Sequence, residues 1–574
     1  MHSIASFLFL RFFLISLSLH SFRALSQTEW AIPLEGGGFS SDIGFSLTTD
    51  NSGNVYSVGQ FSDSVDLDPG SGELMQVSIG GTDMYIQKLD ANGNLLWGHS
   101  LGSFGSDAGK AITIDDTGNV YITGAFGGTV DFDPGAGIYE LTSNGSFDIF
   151  ILKLDNNGNF IWAQSFGGTA WDVPNEIVLD NLGNLYSVGY FSGSVSELID
   201  FDPTSGVENL SCQGSSDIYI QKLDVNGNFI WAKSIGGSDN DRAYDVTLDN
   251  SNNPIITGYF SSTVDFDPNM GVTTLTSNGA RDICIAKLDV NGNLLWAKAM
   301  GSSGVDGGFS IVNDSQNNIC VGGFFEETVD FDPNGGVDNH SSFGEFDIFV
   351  LQLSENGDLN WINSYGSLYE DYARAITLDN SDNIYLTGHF SSSVDFGLTS
   401  GNLVSAGFTD IFVQKIDPLG NSMLANSFGG NSDDHGVSIS LDGVGNIYTT
   451  GYFQGTADFD ASGGMLELSS LDFQEVFIMK SSLLDFLEVD ELKKLQKVHV
   501  YPNPSNGEFT ISLDDIHPTE PVRIEVITEI GQKVWERDIE DQHTFVDLGD
   551  KVAGVYFIRI ISEDGVSVHQ LLIQ

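Results

Sequence analysis

The sequence predicts an all-β chain: a seven-bladed β-propeller closed by its own N-terminal strand and followed by a small Ig-like β-sandwich. Three observations predict it. Trp30, Trp97, Trp162, Trp231, Trp296 and Trp361 recur at intervals of 67, 65, 69, 65 and 65 residues. Each interval holds four short runs rich in β-branched and aromatic residues, punctuated by Asp-x-x-Gly-Asn turns, which is how strands in hairpins read. No run keeps the 3.6-residue period of an amphipathic helix. Four strands per unit suit a propeller blade, whereas a β-solenoid coil would be far shorter.

The elements follow in chain order. Residues 1–26 read as a secretory signal, with an apolar stretch from Phe7 to Leu19 broken only by Arg11. Ala24 and Ser26 supply the small residues a signal peptidase needs. A membrane anchor would need about 20 uninterrupted apolar residues, and Arg11 and His20 spoil that. No later segment is apolar enough to span, so no transmembrane segment is expected in the mature chain. Residues 27–480 form the ring. Its strand types are Ala111–Ile114, Val120–Phe126, Asp148–Leu154 and the Trp strand, taken here as first to fourth. The first three types occur seven times, but the fourth follows a third strand only six times. Trp30-Ala31-Ile32 has no strands before it. It is therefore expected to complete the seventh blade beside Val476–Met479, leaving no open sheet edge. Residues 481–497 read as a linker. Residues 498–574 carry seven short strand-like runs, enough for a small β-sandwich.

Composition excludes several function classes. The 574 residues include 79 Asp+Glu against 22 Lys+Arg, a formal charge of −57. Such a surface repels nucleic acid, because that binding depends on neutralising phosphates. Aromatic residues at 11% and a mean hydropathy of −0.03 exclude a disordered acidic chain. Three cysteines, Cys212, Cys284 and Cys320, are too few for a disulfide framework.

Acids recur in three sets. One lies in the loop before each first strand: Asp42, Asp107, Asp172, Asp241, Asp306, Asp371 and Asp434. A second follows the second strand, as in Asp131 and Asp133. A third opens the third strand: Asp83, Asp148, Asp217, Asp282, Asp347, Asp410 and Glu475. All should gather on one face, where an oxygen-rich surface would suit a hard cation such as Ca²⁺. A short Asp side chain also accepts backbone N–H bonds in its own turn, and repetition in every blade favours that structural role. No motif calls for a cofactor.

Catalysis has little support. His99, His340, His389 and His435 are the histidines of the ring. His389 is expected in the core or at a blade edge, and His435 at the channel mouth. Neither a Gly-x-Ser-x-Gly elbow nor a His-Glu-x-x-His pair occurs. Trp171 is the one ring tryptophan outside the repeat register. The expected activity is therefore binding or scaffolding, toward an extracellular protein or glycan. The alternative is a lyase or glycoside hydrolase acting on extracellular polysaccharide.

The repeat pattern Asp-x-Phe-x-x-Lys-Leu-Asp-x-x-Gly-Asn, Trp, Gly-Gly, Leu-Asp-x-x-Gly-Asn-x-Tyr-x-x-Gly-x-Phe resembles the bacterial seven-bladed β-propeller (SBBP) family of surface and secreted proteins. That family carries no single activity. In the C-terminal module, Tyr501-Pro502-Asn503-Pro504 with Gly507, then Gly531, then Gly554 and Tyr556 resemble the type A sorting domain of the Bacteroidetes type IX secretion system. The resemblance implies Sec export, passage through the outer membrane by the type IX machinery, and removal of the module by a sortase-like surface peptidase. The cargo would be secreted or held at the cell surface.

Overall fold

The computed structural model describes residues 26–37, 41–399, 401–462, 464–483, 498–501, 505, 507–513, 522–528, 533–539, 543–548, 554–562 and 565–573. The expected signal up to residue 25 and the linker from residue 484 lie outside them. The chain divides into two compact units, Met1–Leu483 and Leu484–Gln574. Among the described residues there is no helix, so none is long and apolar enough to cross a membrane.

The first unit is propeller-like. In its second repeat, Ala108–Ile114, Val120–Phe126, Asp148–Leu154 and Phe160–Phe166 pair in sequence order as one antiparallel sheet. The same four-strand order recurs from Ile43–Thr49 through Tyr372–Leu378. The last sheet takes His435–Leu441, Ile447–Asp458 and Glu467–Leu483, and its fourth strand is Ser26–Pro33 from the other end of the chain. Trp30 lies opposite Lys480 and Ile32 opposite Ile478. The third strand thus runs to Leu483, three residues past the expected end of the ring, and continues to pair with the N-terminal strand.

The core lies between neighbouring sheets, not within one. Met84 and Ile86 of one sheet pack with Ile122, Phe150 and Leu152 of the next, and the circuit closes where Leu47 and Val55 meet Tyr448 and Ile478. Third strands such as Asp148–Leu154 are buried along their whole length, as expected of a strand covered on both faces. Tryptophan fastens six of the seven junctions. Trp97 Nε1 donates to Asn156 O at 3.1 Å, and Trp231 Nε1 to Val290 O at 3.0 Å, each in the next sheet's last turn. Trp30 closes the ring onto Ala91 O at 3.2 Å. Gly93 presents its turn to the Trp30 ring at φ +82, a conformation few other residues adopt. In the sixth repeat Leu424 replaces Trp. The seventh sheet has no third-to-fourth turn, so no carbonyl waits there for an indole N–H.

In the second unit, Val498–Tyr501, Glu508–Leu513 and His543–Asp547 form one sheet. Lys533–Ile539, Val522–Thr528, Gly554–Ser562 and Gly565–Ile573 form another. Phe509, Ile511, Ile524, Val526, Ile558 and Leu571 share one buried cluster drawn from both sheets. These are the seven runs read from the sequence.

Candidate functional site

Each first strand carries a β-bulge at its third residue. The ladder shifts register between Gly109 and Ala111, between Pro174 and Glu176, between Ala243 and Asp245, and at the matching place in the other four. A bulge re-aims its extra side chain. The seven bulged residues are Phe45, Lys110, Asn175, Tyr244, Phe309, Arg374 and Val437, and all of them line one central cavity of about 360 Å³. Glu176, Asp245, His435 and Tyr452 line it too.

The charged groups there are shifted by burial. Lys110 sits 3.5 Å from the Phe45 ring, and burial pushes its amine down to about 8. Asp245 accepts from Ile311 N at 2.7 Å and Ser310 Oγ at 2.8 Å of the next sheet, and from Val246 N at 2.6 Å. Burial outweighs these bonds and pushes its carboxyl up to about 6. Glu176 accepts from Ile177 N at 2.9 Å, and burial, with the Asp245 charge next, holds its carboxyl well above the usual range. A carboxyl raised in this way can donate as well as accept.

At the loop end of the channel, each first strand faces its second strand through one residue pair. In order around the ring these are Ile43 and Gln60, Ala108 and Ala125, Val173 and Tyr190, Arg242 and Tyr259, Gly307 and Phe324, Tyr372 and His389, and His435 and Tyr452. The first two pairs carry no aromatic ring, and each of the rest carries at least one. Tyr244, Phe309, Phe324, Tyr372 and His389 follow one another at centroid spacings of about 5 Å. His389 stacks on His435 at 3.6 Å. His435 shares hydrogen bonds with Tyr452 Oη at 2.6 Å through Nδ1 and with Thr409 Oγ1 at 3.0 Å through Nε2. Burial, then the Arg374 charge, pushes His435 down to about 3. His435 thus lines the channel as expected, and His389 is core, 3% exposed.

The acids singled out in the sequence are elsewhere and are not displayed. Asp42, Asp107, Asp172, Asp241, Asp306, Asp371 and Asp434 are at most 2% exposed. Each ties its own loop to the end of the second strand. Asp306 Oδ2 accepts from Ser302 N at 2.7 Å and its Oδ1 from Glu326 N at 2.9 Å. Asp172 does the same with Gly168 N and Ser192 N, and Asp241 with Gly237 N and Ser261 N. The acids opening the third strand are buried too. The expectation of an acidic face therefore fails for two of the three sets, because their short carboxylates are drawn inward by loop N–H groups. Among the described residues no group of three or more His, Cys, Asp or Glu is placed to hold a metal ion. Trp171 is 57% exposed and meets Phe147 edge-on at 5.3 Å.

Of the sorting-motif residues, Tyr501 ends its strand half exposed, and Gly507 has φ +105, which suits glycine. Gly554 opens its strand and Tyr556 is in the core. Pro502, Asn503, Pro504 and Gly531 lie outside the described residues.

Lys110, Glu176, Tyr244, Asp245, Phe309 and Arg374 were missed in the sequence. Their signal was present: read down the seven repeats, the third residue of the first strand runs Phe, Lys, Asn, Tyr, Phe, Arg, Val between small residues at the second place, and Glu176 and Asp245 break a run of Ser and Ala at the fourth.

Comparison with known proteins bears first on the C-terminal unit. Residues 499–574 match the secretion system C-terminal sorting domain family. This domain directs the chain through type IX secretion to the cell surface or extracellular space. Over 64% of its length the chain is similar to an uncharacterized WD repeat-containing protein, L264, of Acanthamoeba polyphaga mimivirus, 23% identical over 32% of that protein. It is also similar to the regulatory protein FlaEY of Caulobacter vibrioides, 23% identical over 35% of this chain and 20% of that one. The chain thus spans a third or less of these relatives. Among solved structures it is similar to PorZ, a surface component of the type IX secretion system of Porphyromonas gingivalis. There the identity is 10% over 95% of this chain and 100% of that one, with a TM-score of 0.22.

Proposed function

We propose that this chain is an exported seven-bladed β-propeller that binds an extracellular protein or glycan in its central channel. On this reading the second unit is an Ig-like β-sandwich that serves as a detachable address, recognised by the type IX machinery and a sortase-like peptidase. One observation carries the binding role. A ring built for shape alone would repeat its channel residues, yet the seven bulged positions hold six residue types, from two cations and an amide to aromatic and aliphatic side chains, in one cavity. A concave site with apolar walls and a few converging polar groups is the usual form of a ligand pocket.

The test is a glycan array probed with the mature full chain and with a Tyr244→Ala, Phe309→Ala variant that melts like the parent. The parent should give discrete hits that the variant loses. Hits kept by the variant would place binding elsewhere and overturn the reading.

The pair Glu176 and Asp245 supports a second reading, a polysaccharide lyase or glycoside hydrolase. Two carboxyls whose surroundings raise their proton affinity are suited to general acid and base work. New reducing ends or unsaturated products from a polysaccharide, abolished by Glu176→Gln, would establish it. Their absence across acidic and neutral polymers would leave the binding role.

A further inference from the structure

Between residues 27 and 480 the sequence has three arginines, Arg242, Arg281 and Arg374, and the fold brings all three to the aromatic side of the channel. Arg242 opens its first strand at the loop end, Arg281 immediately precedes the third strand of the same sheet, and Arg374 is a bulged residue of the cavity wall. We propose that they bind an acidic glycan, a sugar chain bearing carboxylate or sulfate groups. This rests on the channel being a ligand site.

The first ground is how the guanidiniums are held. Arg242 lies 4.0 Å from the Tyr190 ring centre, Arg281 4.5 Å from Tyr259, and Arg374 4.5 Å from Phe309 and 4.9 Å from Tyr372. Among the described residues none of the three side chains donates a hydrogen bond or forms an ion pair, and Arg242 Nε is buried without a partner. Glu370 is the acid acting most on Arg374 through space, yet the two form no ion pair. Lys110 of the same cavity is held in the same way, over the Phe45 ring, whereas other lysines of the ring pair with acids. Lys287 meets Asp249 at 2.9 Å and Lys480 meets Glu29 at 2.7 Å. In a chain of net charge −57 acids are abundant, yet every arginine of the ring is left without one among the described residues. A guanidinium stacked through its face keeps its in-plane N–H groups free for a planar or tetrahedral anion.

The second ground is continuity. Arg281 covers Tyr259, Tyr259 is 5.8 Å from Tyr244, Tyr244 is 5.0 Å from Phe309, and Phe309 is covered by Arg374. Arg242 is the ladder partner of Tyr259. The cations therefore belong to one surface of alternating rings and charges.

The third ground is what lies beside them. Glu176, Asp245 and Asn175 line the same cavity; each already bonds within the protein, and a purely apolar acid would strip solvent from their remaining donor and acceptor positions, at a cost. Sugar hydroxyls would satisfy them. The carboxyls also oppose a multiply charged phosphate more than the single charge of a uronate or a sulfate ester. Flat apolar faces, hydroxyls and one negative charge per group together describe an acidic sugar.

The experiment measures binding of the mature full chain to polygalacturonate, to dextran sulfate and to unmodified dextran at constant ionic strength. Either or both acidic polymers should bind and dextran should not. Arg374→Ala, and Arg242→Ala with Arg281→Ala, should each weaken binding about 10- to 100-fold, the loss for charged hydrogen bonds. Arg374→Lys, which keeps the charge and loses the fork, should fall between parent and Arg374→Ala. Equal binding of dextran, or arginine variants that fold and bind like the parent, would overturn the proposal. If binding then still required Tyr244 and Phe309, the channel reading would stand. If neither acidic nor neutral polymer bound, the proposal would fall and the channel reading would be left with a protein ligand.

Discussion

Replacing Asp306 by Ala removes one of the ties that hold each loop to its second strand. The carboxyl is fully buried and accepts from two backbone N–H groups, at 2.7 and 2.9 Å, and from Ser302 Oγ at 3.0 Å. Alanine leaves both amides buried without a partner. At about 1–3 kcal/mol for each unsatisfied group, the loss is about 2–6 kcal/mol. A second effect works against it. Burial raises the Asp306 carboxyl from 3.8 to about 7, so the folded protein binds a proton more readily than the unfolded chain does. The stability linked to that proton is fully present below pH 3.8 and is lost as pH rises through about 7. The shift caps this part at about 4 kcal/mol, and the neighbouring Asp282 shares it. Alanine abolishes the titration, so the cost of Asp306→Ala should be larger at pH 5 than at pH 8. Asp306→Asn resembles the protonated acid, keeps one of the two backbone bonds, and should cost about half as much at pH 5. Urea unfolding of the full chain at the two pH values, followed by tryptophan fluorescence, measures both quantities. A cost at pH 5 below about 0.5 kcal/mol, or a larger cost at pH 8, would refute the role assigned to these acids.

The same sign applies to the whole ring. Burial raises Asp83, Asp107, Asp347 and Asp434 to about 6 and Asp172, Asp241, Asp371 and Asp410 to about 7, so the melting temperature should be higher at pH 5 than at pH 8. A monotonic rise across that interval would contradict it. Deleting residues 27–34 removes the pairing with the last sheet and the Trp30 bond to Ala91 O. The truncated chain should melt earlier and self-associate, and melting like the parent would show that closure contributes nothing. Because the loop acids already accept backbone N–H bonds, Ca²⁺, Mg²⁺ and NaCl of matched ionic strength should shift the melting temperature equally after chelation. A rise with Ca²⁺ alone would make Asp42, Asp107, Asp172, Asp241, Asp306, Asp371 and Asp434 cation ligands.

The architecture was legible because each physical requirement is met by the same residue in every repeat. Trp97 and its equivalents fall at one spacing since each must reach a turn of the next sheet, and the orphan Trp30 strand announces where the ring closes. Even Leu424, which breaks the series, marks the junction without a turn carbonyl. The acids were legible as acceptors of backbone N–H bonds, which they are, but their display on one face was misread for a related reason. A sequence shows that Asp306 recurs in a loop but not which way the carboxylate turns, and two amides 4 and 20 residues away decide that it turns inward. Arg242, Arg281 and Arg374 fall at three unrelated positions of the repeat, so no spacing links them. Only the bulges and the curvature of the ring make them neighbours.

That difference has a consequence for where function can reside. A position that fastens one sheet to the next has little room to vary, since six of the seven junctions use the same indole bond and the one that varies has no turn carbonyl to meet. The third residue of the first strand is free of this duty, because the bulge releases it from the ladder and the channel gives it space. It is therefore the place where a repeating ring can acquire chemistry without losing closure. Its occupants divide accordingly. Beside Phe45 and Lys110 the mouth is lined by the small or flexible pairs Ile43 with Gln60 and Ala108 with Ala125, whereas from Tyr190 to Tyr452 it is aromatic. A ring with a smooth side and a gripping side orients what enters it. A chain-like ligand would lie against the arc from Tyr190 to Tyr452 and leave past Ala108 and Ala125. Enlarging that exit wall with Ala108→Trp should then weaken binding of a long polymer more than of a single sugar, and equal effects on both would place the ligand wholly inside the cavity.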